Sequence, residues 1–370
     1  MAMSEQKAGA PPGSPQPAAG KPKKRFLRQP QMLRMLYALA PLAVVGIYLF
    51  GWRVLALLAV CTAAGLAAEW LMASRRGSPL TTANFVTIAL YTLSLPPTMP
   101  FWMAAVGIVV GVLFGKEVFG GFGRNFANPA IVGRAFVYVA FPIAMTGSFV
   151  PAFRGWPGGF GHWAFHTLAQ APEWLGAAAK SGLDAVTAAT PVIALRDFGY
   201  EPPLLDLVLG SIGGTFRSGT AEKVLAAGSI GEVCEPLIIL AGLYLLATRT
   251  ANWRLMLSPL LAASAMVVLL HHVLGVSRVP SLPFSLFSAS LLYGCVFMVT
   301  EPVSAPRRPA AMWLYGLFIG VAIVMFRWLG QFPGSVSFSI LLGNTAGPSL
   351  DMAVAAWQGR KKPKKSEAAA

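Results

Sequence analysis

Two hydroxyl groups and one carboxylate stand close together in a short stretch of otherwise small residues. Asp184, Thr187 and Thr190 are separated only by alanine and valine, and Pro191 follows directly. A hydroxyl with small neighbours can accept a phosphoryl group from a modifying enzyme, because bulky side chains would block the approach. Runs of alanine, threonine and valine are common, so composition alone gives this one no function. Its interpretation depends on where the chain places it.

A second stretch contains two asparagines about one helical turn apart. Asn125 and Asn128 lie in a glycine-rich segment, 120–136, that also carries Pro129. Their side-chain amides hold both donors and acceptors and could together bind the edge of a flat ring such as an isoalloxazine. The alternative is structural, because asparagine is a preferred helix N-cap and proline a preferred first residue of a helix. Spacing alone favours capping and leaves ring binding open.

Three acidic residues lie inside apolar segments or at their edges: Glu69, Glu301 and Asp351. A carboxylate at membrane depth is costly and therefore either pairs locally or marks a route for ions. The sequence leaves both alternatives open. The turn from Gly228 to Glu232 also has two interpretations, a tight turn or a helix start that binds phosphate.

No metal centre and no catalytic residue is predicted. The three cysteines are scattered through apolar segments without paired spacing, and the four histidines form no metal-binding signature. The sequence also lacks a Ser-His-Asp arrangement and a P-loop. The candidate residues therefore point to binding or modification sites.

Composition indicates that membrane helices position these groups. Of the 370 residues, 55% are hydrophobic and only 12% are charged, and the mean hydropathy is +0.62. Several apolar runs approach 20 residues, the length that spans a bilayer as a helix. The net charge of +15 could indicate nucleic-acid binding, but the basic residues lie at the termini and in short loops. That distribution argues against nucleic acid as a partner and fits cytoplasmic anchoring.

Ten membrane-spanning helices are predicted, of which the third, fifth, eighth and tenth are short or interrupted by glycine and proline. The predicted bounds are 33–52, 53–73, 82–97, 99–118, 130–147, 232–248, 253–273, 284–300, 310–328 and 337–357. Most of the 29 lysines and arginines fall in the termini and in alternate loops, which places both termini in the cytoplasm. The long loop 148–231, which contains Thr190, then lies on the extracytoplasmic side.

A weak internal similarity indicates two repeats. Segments 84–133 and 284–348 share the order of a short helix, a break with proline, an apolar helix and an asparagine-containing turn. Five spans per repeat give the repeats opposite orientations, as in transporters with broken helices. We therefore predict an all-α polytopic membrane protein of two inverted five-helix repeats. Its predicted regions are a disordered basic tail (1–32), the first repeat (33–147), the extracytoplasmic loop (148–231), the second repeat (232–357) and a basic tail (358–370).

The chain resembles the NqrB/RnfD family in four stretches. These are GRNFANPA (123–130), GRAF (133–136), MVTEPVS (298–304) and residues 313–351. Members of this family are membrane subunits of the sodium-translocating NADH:quinone reductase and of the Rnf ferredoxin:NAD oxidoreductase. The resemblance covers most of residues 33–357 and is closer to NqrB, because Arg124 and Arg134 are present.

The resemblance implies a role for each candidate residue. Thr190 falls where the family carries FMN through a phosphoester, which an FMN transferase attaches, and Asp184 and Thr187 match earlier positions of that pattern. Asn125 and Asn128 fall where the sodium pump's subunit holds a noncovalent riboflavin. The three acids match residues associated with cation uptake.

The resemblance also implies a bacterial inner membrane and a complex of other membrane, flavin and iron–sulfur subunits, with quinone as a further candidate partner. Two departures are that Ala188 replaces the usual glycine of the flavin-attachment pattern and that Gly65-Leu66 replaces a Gly-Gly pair near the quinone site. The predicted function is a non-autonomous oxidoreductase subunit that relays electrons through flavins, coupled to Na⁺ or H⁺ transport. Two alternatives stay open: a flavinylated electron conduit that does not pump, and a transporter or channel without cofactors.

Overall fold

The computed structural model of the chain describes residues 26–164, 189–218 and 221–361. Two candidate residues, Asp184 and Thr187, lie outside these ranges, whereas Thr190 lies within them. The described backbone is mainly helical and contains two short two-stranded sheets.

Six described helices precede residue 164. They are α1 (Pro30–Phe50), α2 (Arg53–Arg76), α3 (Thr82–Leu93), α4 (Phe101–Val112), α5 (Pro129–Ala140) and α6 (Pro142–Gly147). α4 continues directly into a wider, π-helical turn, Leu113–Glu117. This turn carries Lys116 and Glu117, and both are buried.

Eight described helices follow residue 189. They are α7 (Pro191–Phe198), α8 (Leu204–Leu209), α9 (Glu235–Ala247), α10 (Trp253–Val268), α11 (Leu282–Phe287), α12 (Leu291–Tyr293), α13 (Pro309–Val324) and α14 (Ser335–Lys361). π-helical turns extend α10 over Leu269–Val273, α12 over Gly294–Met298 and α13 over Met325–Leu329. Because π-helical turns are rare and frequent at functional sites, their side chains are of particular interest.

Two pairs of short strands connect segments of the chain that lie outside the helices. β1 (Phe26–Leu27) pairs in parallel with β2 (Leu80–Thr81), and β3 (Thr215–Ser218) pairs antiparallel with β4 (Ala221–Val224). Gln29 adds a hydrogen bond next to the β1–β2 pair. Its side-chain Oε1 accepts from the backbone N of Ala83 at 3.1 Å. The segment 26–29, here named the N-terminal arm, is therefore fastened to the loop between α2 and α3.

Four described helices are long and apolar enough to cross a membrane. They are α1, α2, α10 with its π-helical turn and α13 with its π-helical turn. Shorter apolar helices are α3, α5 and α9. Large apolar side chains such as Leu243 and Leu317 are exposed on the outer faces of these helices, which suits contact with lipid. The chain is an all-helical, multi-pass membrane protein, as predicted.

Of the four segments predicted to be short or interrupted, the third and the fifth contain only the short helices α3, α5 and α6, which confirms the prediction. The prediction is also confirmed in the eighth segment and is wrong in the tenth. The eighth is broken between α11 and α12, where Ala289 and Ser290 have left-handed backbone angles with φ of 50° and 61°. The tenth is one continuous helix, α14, which passes through Pro348 without ending. Proline is tolerated inside a membrane helix because neighbouring groups can satisfy the carbonyl that it frees.

Corresponding helices of the two halves pack in the same way. α2 packs on α4 and α4 on α5 in the first half, and α10 packs on α13 and α13 on α14 in the second. α5 and α14 contact each other across the halves. Two five-helix repeats would give this pattern, while the boundaries of the repeats and their opposite orientation remain predictions.

α10 and α13 approach each other so closely that glycine is required between them. A Cβ atom at Gly316 would overlap the Oγ of Ser258, and one at Gly320 would overlap the backbone of Pro259. We expect Gly316→Val to destabilise the protein by about 1–3 kcal/mol, because overpacking forces the helices apart. Thermal unfolding of the purified protein in detergent measures the loss. Leu317→Val, on the exposed face of α13, is the control, and equal unfolding temperatures for the two variants would contradict the close approach.

Candidate functional site

Thr190 lies at the start of α7, and its hydroxyl does not cap the helix. It is the N-cap residue, with φ −64° and ψ 160°, and Pro191 is the first helical residue. Its side chain makes no capping hydrogen bond. The preceding Ala189 is held by backbone hydrogen bonds to Val224 at 3.0 Å and Ala226 at 2.9 Å. The backbone before Thr190 is therefore fixed by this pairing, and the hydroxyl is not used to cap α7.

Thr190 opens onto a cavity of about 950 Å³, here named the Thr190 cavity. This volume includes space that is open to solvent. Its walls come from α5, α7, the break between α11 and α12, and the end of α13. Its polar lining includes Arg134, Thr190, Arg196, Ser229, Glu232 and Arg327. The Thr190 side chain and several charged side chains thus line one space.

The Thr190 cavity is positively charged. Arg134 lies 3.0 Å from Glu232, and Arg196 pairs with Asp197 at 2.6 Å. Hydrogen bonds from Arg196 lower the pKa of the Asp197 carboxyl, so this pair stays ionised at neutral pH. Arg327 is buried, and no carboxylate of the described residues lies within 4.0 Å of it. Among the described residues, the lining of the cavity thus carries three guanidinium groups and one carboxylate, that of Glu232.

Asn125 borders a second cavity of about 660 Å³, here named the Asn125 cavity. The Nδ2 of Asn125 donates to Glu301 Oε1 at 3.2 Å. Its Oδ1 is buried and has no hydrogen-bond partner in the described part of the chain. Because a buried acceptor without a partner is costly, this oxygen is suited to accept a hydrogen bond from a ligand.

Asn128 caps α5, as the structural alternative predicts. Its Oδ1 accepts from the backbone N of Ala130 at 3.0 Å. Its Nδ2 donates to the carbonyl oxygen of Met298 at 3.2 Å, and its backbone N donates to Asn344 Oδ1 at 3.0 Å. Asn128 therefore joins the two halves of the protein, and its amide is already engaged.

Glu69 pairs locally with a buried lysine. Its Oε1 accepts from Lys116 Nζ at 2.7 Å and from Thr81 Oγ1 at 2.6 Å. Lys116 Nζ also lies 3.2 Å from Glu117, which pairs in turn with Arg76. The structure thus gives Glu69 a resident positive partner.

Glu301 and Asp351 accept hydrogen bonds from backbone groups near the start of α13. The Oε2 of Glu301 accepts from the backbone N of Ser304 at 2.6 Å. The carboxylate of Asp351 accepts from the backbone N of Arg307 at 2.8 Å and of Arg308 at 3.0 Å. Of the three candidate acids, Glu301 lines the Asn125 cavity, and Glu69 adjoins it through Lys116, which also lines it.

Residues 23–358 match the sequence model of the NQR2, RnfD, RnfE family. The chain belongs to this family. A subunit of the Na(+)-translocating NADH-quinone reductase from Pseudomonas aeruginosa (strain LESB58) is 33% identical over 287 residues, which cover 76% of this chain and 62% of that protein. A subunit of the ion-translocating oxidoreductase complex from Stutzerimonas stutzeri is 31% identical over 332 residues, which cover 86% of this chain and 88% of that protein.

Family members from both kinds of complex are similar to this chain, but they differ in length. The corresponding NADH-quinone reductase subunit from Chromohalobacter salexigens is 35% identical over 288 residues, which cover 76% of this chain and 61% of that protein. The chain thus spans about three-fifths of the NADH-quinone reductase relatives and most of the relative from the ion-translocating oxidoreductase complex.

In this family member, sequence reasoning missed the arginines that charge the Thr190 cavity. Arg134 and Arg327 lie within predicted apolar spans. Basic residues inside membrane spans are costly in the same way as acidic ones and also mark functional sites. The position of these two arginines within predicted spans is therefore the signal that could have identified them. The turn at 228–232 lines the cavity through Ser229 and Glu232. The backbone N of Ser229 donates to Glu232 Oε2 at 3.3 Å, and the backbone N of Glu232 donates to the Ser229 carbonyl at 3.1 Å, which is the geometry of the tight-turn interpretation.

Proposed function

We propose that this chain is the flavin-carrying membrane subunit of an ion-translocating electron transport complex of the Nqr/Rnf type. FMN is linked through a phosphoester to Thr190, and a riboflavin binds noncovalently beside Asn125. Electrons pass between the two flavins, and their passage is coupled to transport of Na⁺ or H⁺. The observation that carries the proposal is the hydroxyl of Thr190, which makes no capping hydrogen bond and lies at the edge of a cavity lined by three arginines and one glutamate.

The residues of the Thr190 cavity fit a phosphate-linked ring system. A phosphate on the N-cap of α7 would face the first N–H groups of the helix, those of Val192 and Ile193, which have no intrahelical acceptor. The helix N-terminus and Arg196 both favour negative charge there. Apolar lining residues, among them Phe287 and Phe332, would exclude water from the ring.

The Asn125 cavity fits the second flavin through one amide. The unpartnered Oδ1 of Asn125 can accept from a ring N–H group. Asn128 uses its own amide to cap α5 and to bind Met298, so it would shape the site by holding the loop in place. A riboflavin here therefore depends on Asn125 for contact and on Asn128 for position.

When bound, the flavins supply the redox chemistry, and the chain supplies orientation and electrostatics. Thr190 tethers one flavin, and Arg134, held beside Glu232, fixes a positive charge on the cavity wall. The electron donor and acceptor belong to other flavin and iron–sulfur subunits of the complex, because the sequence encodes no NADH site or cluster motif. An FMN transferase attaches the FMN, and quinone is a further candidate acceptor.

The proposal includes a location and an ion route. The chain lies in a bacterial inner membrane with both termini in the cytoplasm and the loop 148–231 outside. Cation uptake is assigned to Glu69, Glu301 and Asp351. Glu301 borders the Asn125 cavity, so a cation beside it would respond most directly to charge on a flavin there. Sodium dependence of electron flow in vesicles distinguishes a sodium pump from a conduit that does not pump.

Mass spectrometry of the peptide that contains Thr190 tests the proposal. When the chain is produced together with an FMN transferase, we expect the peptide mass to increase by one FMN less one water molecule, and fragmentation to place the increase on Thr190. Production without the transferase is the control and should give the unmodified peptide. An unmodified peptide under both conditions would favour the transporter without cofactors.

A further inference from the structure

Arg327 is a buried base in the π-helical turn at the end of α13. Only 3% of its surface is exposed. A buried guanidinium is costly unless hydrogen bonds or an opposite charge compensate it. The hydrogen-bond partners of Arg327 therefore indicate why an arginine is buried at this position.

The guanidinium of Arg327 binds the break between α11 and α12. Nη1 donates to the carbonyl oxygen of Ser288 at 3.1 Å, and Nη2 donates to that of Ala289 at 2.6 Å. Nε donates to the Oγ of Ser335, the first residue of α14, at 3.3 Å. The carbonyls at a break lack helical partners and must be satisfied within the membrane. Arg327 satisfies them and joins the break to α13 and α14.

These hydrogen bonds lower the cost of burial but leave the positive charge of Arg327 in place. The other two guanidinium groups of the Thr190 cavity each have a carboxylate, Glu232 for Arg134 and Asp197 for Arg196. Among the described residues, Arg327 has none within 4.0 Å. Arg327 is therefore the cavity guanidinium that has no carboxylate of the described residues at ion-pair distance, and Glu232 acts on it only from farther away.

We propose that Arg327 raises the redox potential of the flavin on Thr190 by compensating the negative charge that reduction adds to the ring. This inference rests on the proposed attachment of FMN to Thr190. If FMN is bound there, two electrons from a reduced flavin or iron–sulfur centre of a partner protein in the complex, and one proton from a water molecule that leaves as hydroxide, would give the ring one negative charge. A fixed cation in a site of low dielectric constant favours the anion. Arg327 is thus a positioning residue that acts through its charge.

A reductive titration of the flavinylated protein tests this role. Dithionite is added to the purified protein with an indicator dye, and the absorbance of the covalent flavin gives its midpoint potential. Arg327→Gln should shift the midpoint to a more negative potential, because the compensating charge is lost. Arg327→Lys retains the charge and should restore most of the difference.

Ser335 provides a second test that keeps the arginine, because Arg327→Gln also removes hydrogen bonds at the break. Ser335→Asp places a carboxylate beside the guanidinium and should lower the potential. Ser335→Ala removes one hydrogen bond, keeps the charge and should titrate as the wild type does. If the Arg327→Gln protein does not fold, the midpoint potential of the Ser335→Asp protein is the deciding measurement.

The two possible failures are distinguishable. A wild-type potential in Ser335→Asp, or in a folded Arg327→Gln protein, would overturn the role of Arg327. An absence of flavin fluorescence from the wild-type chain in a denaturing gel would instead overturn the attachment of FMN to Thr190, and with it the proposed function.

Discussion

A Thr190→Ala protein is expected to lose all covalent flavin fluorescence in a denaturing gel. The substitution removes the one oxygen that forms the ester, and alanine is compatible with the extended backbone of the N-cap position. Because the hydroxyl makes no capping hydrogen bond, its removal should change the free energy of unfolding little. Membrane insertion and the thermal unfolding temperature should therefore match those of the wild type.

Two matched variants control this experiment. Thr146→Ala removes another hydroxyl from the lining of the Thr190 cavity and should keep the fluorescence, because the Oγ1 of Thr146 is engaged by the carbonyl oxygen of Pro142 at 2.8 Å. Thr190→Ser keeps a hydroxyl at the attachment point and should remain labelled. Fluorescence retained by Thr190→Ala would mean that the flavin is attached at another residue.

Lys116→Met is expected to cause the largest loss of stability, about 3–5 kcal/mol, because it leaves a buried carboxylate without its charge partner. Lys116 lies 2.7 Å from Glu69 and 3.2 Å from Glu117, and all three side chains are buried. Removing one member is the costly way to break a buried ion pair. Methionine keeps the length of the side chain, so the loss of stability measures the loss of the charge more than a change in packing. Thermal unfolding in detergent measures it.

The double variant Lys116→Met/Glu69→Gln is the control for this interpretation. It should recover most of the lost stability, because a neutral amide can still accept the hydrogen bond from Thr81. Added Na⁺ also tests the proposed cation role of Glu69. It should raise the unfolding temperature of Lys116→Met and leave that of the double variant unchanged. A double variant as unstable as the single one would show that packing, and not charge, caused the loss.

The helices were predictable because their signals are local. Apolar runs as long as Pro30–Phe50 and Arg53–Arg76 have few alternatives to a membrane helix, and the cap of Asn128 on α5 follows from its own neighbours. The continuous path of α14 through Pro348 was not predictable in the same way. Whether a proline ends a helix depends on the groups that surround it.

The charge of the candidate site depends on contacts between residues far apart in the sequence. Thr190 could be singled out by its small neighbours, but the same stretch does not say that Arg134 and Arg327 face it. Likewise, the sequence offers an ion route or local pairing for Glu69, and its pairing with Lys116 depends on how α2 packs against α4. Sequence reasoning therefore singled out the candidate group for modification and missed its electrostatic surroundings.

The N-terminal arm determines where a reporter group can be placed. Leu27 pairs with Thr81, and the Thr81 hydroxyl lies 2.6 Å from the Glu69 carboxylate. A fluorophore attached directly ahead of Phe26 would consequently be joined to a segment that lies close in space to the Glu69 carboxylate. One attached after Lys361 would be joined to the C-terminal end of α14.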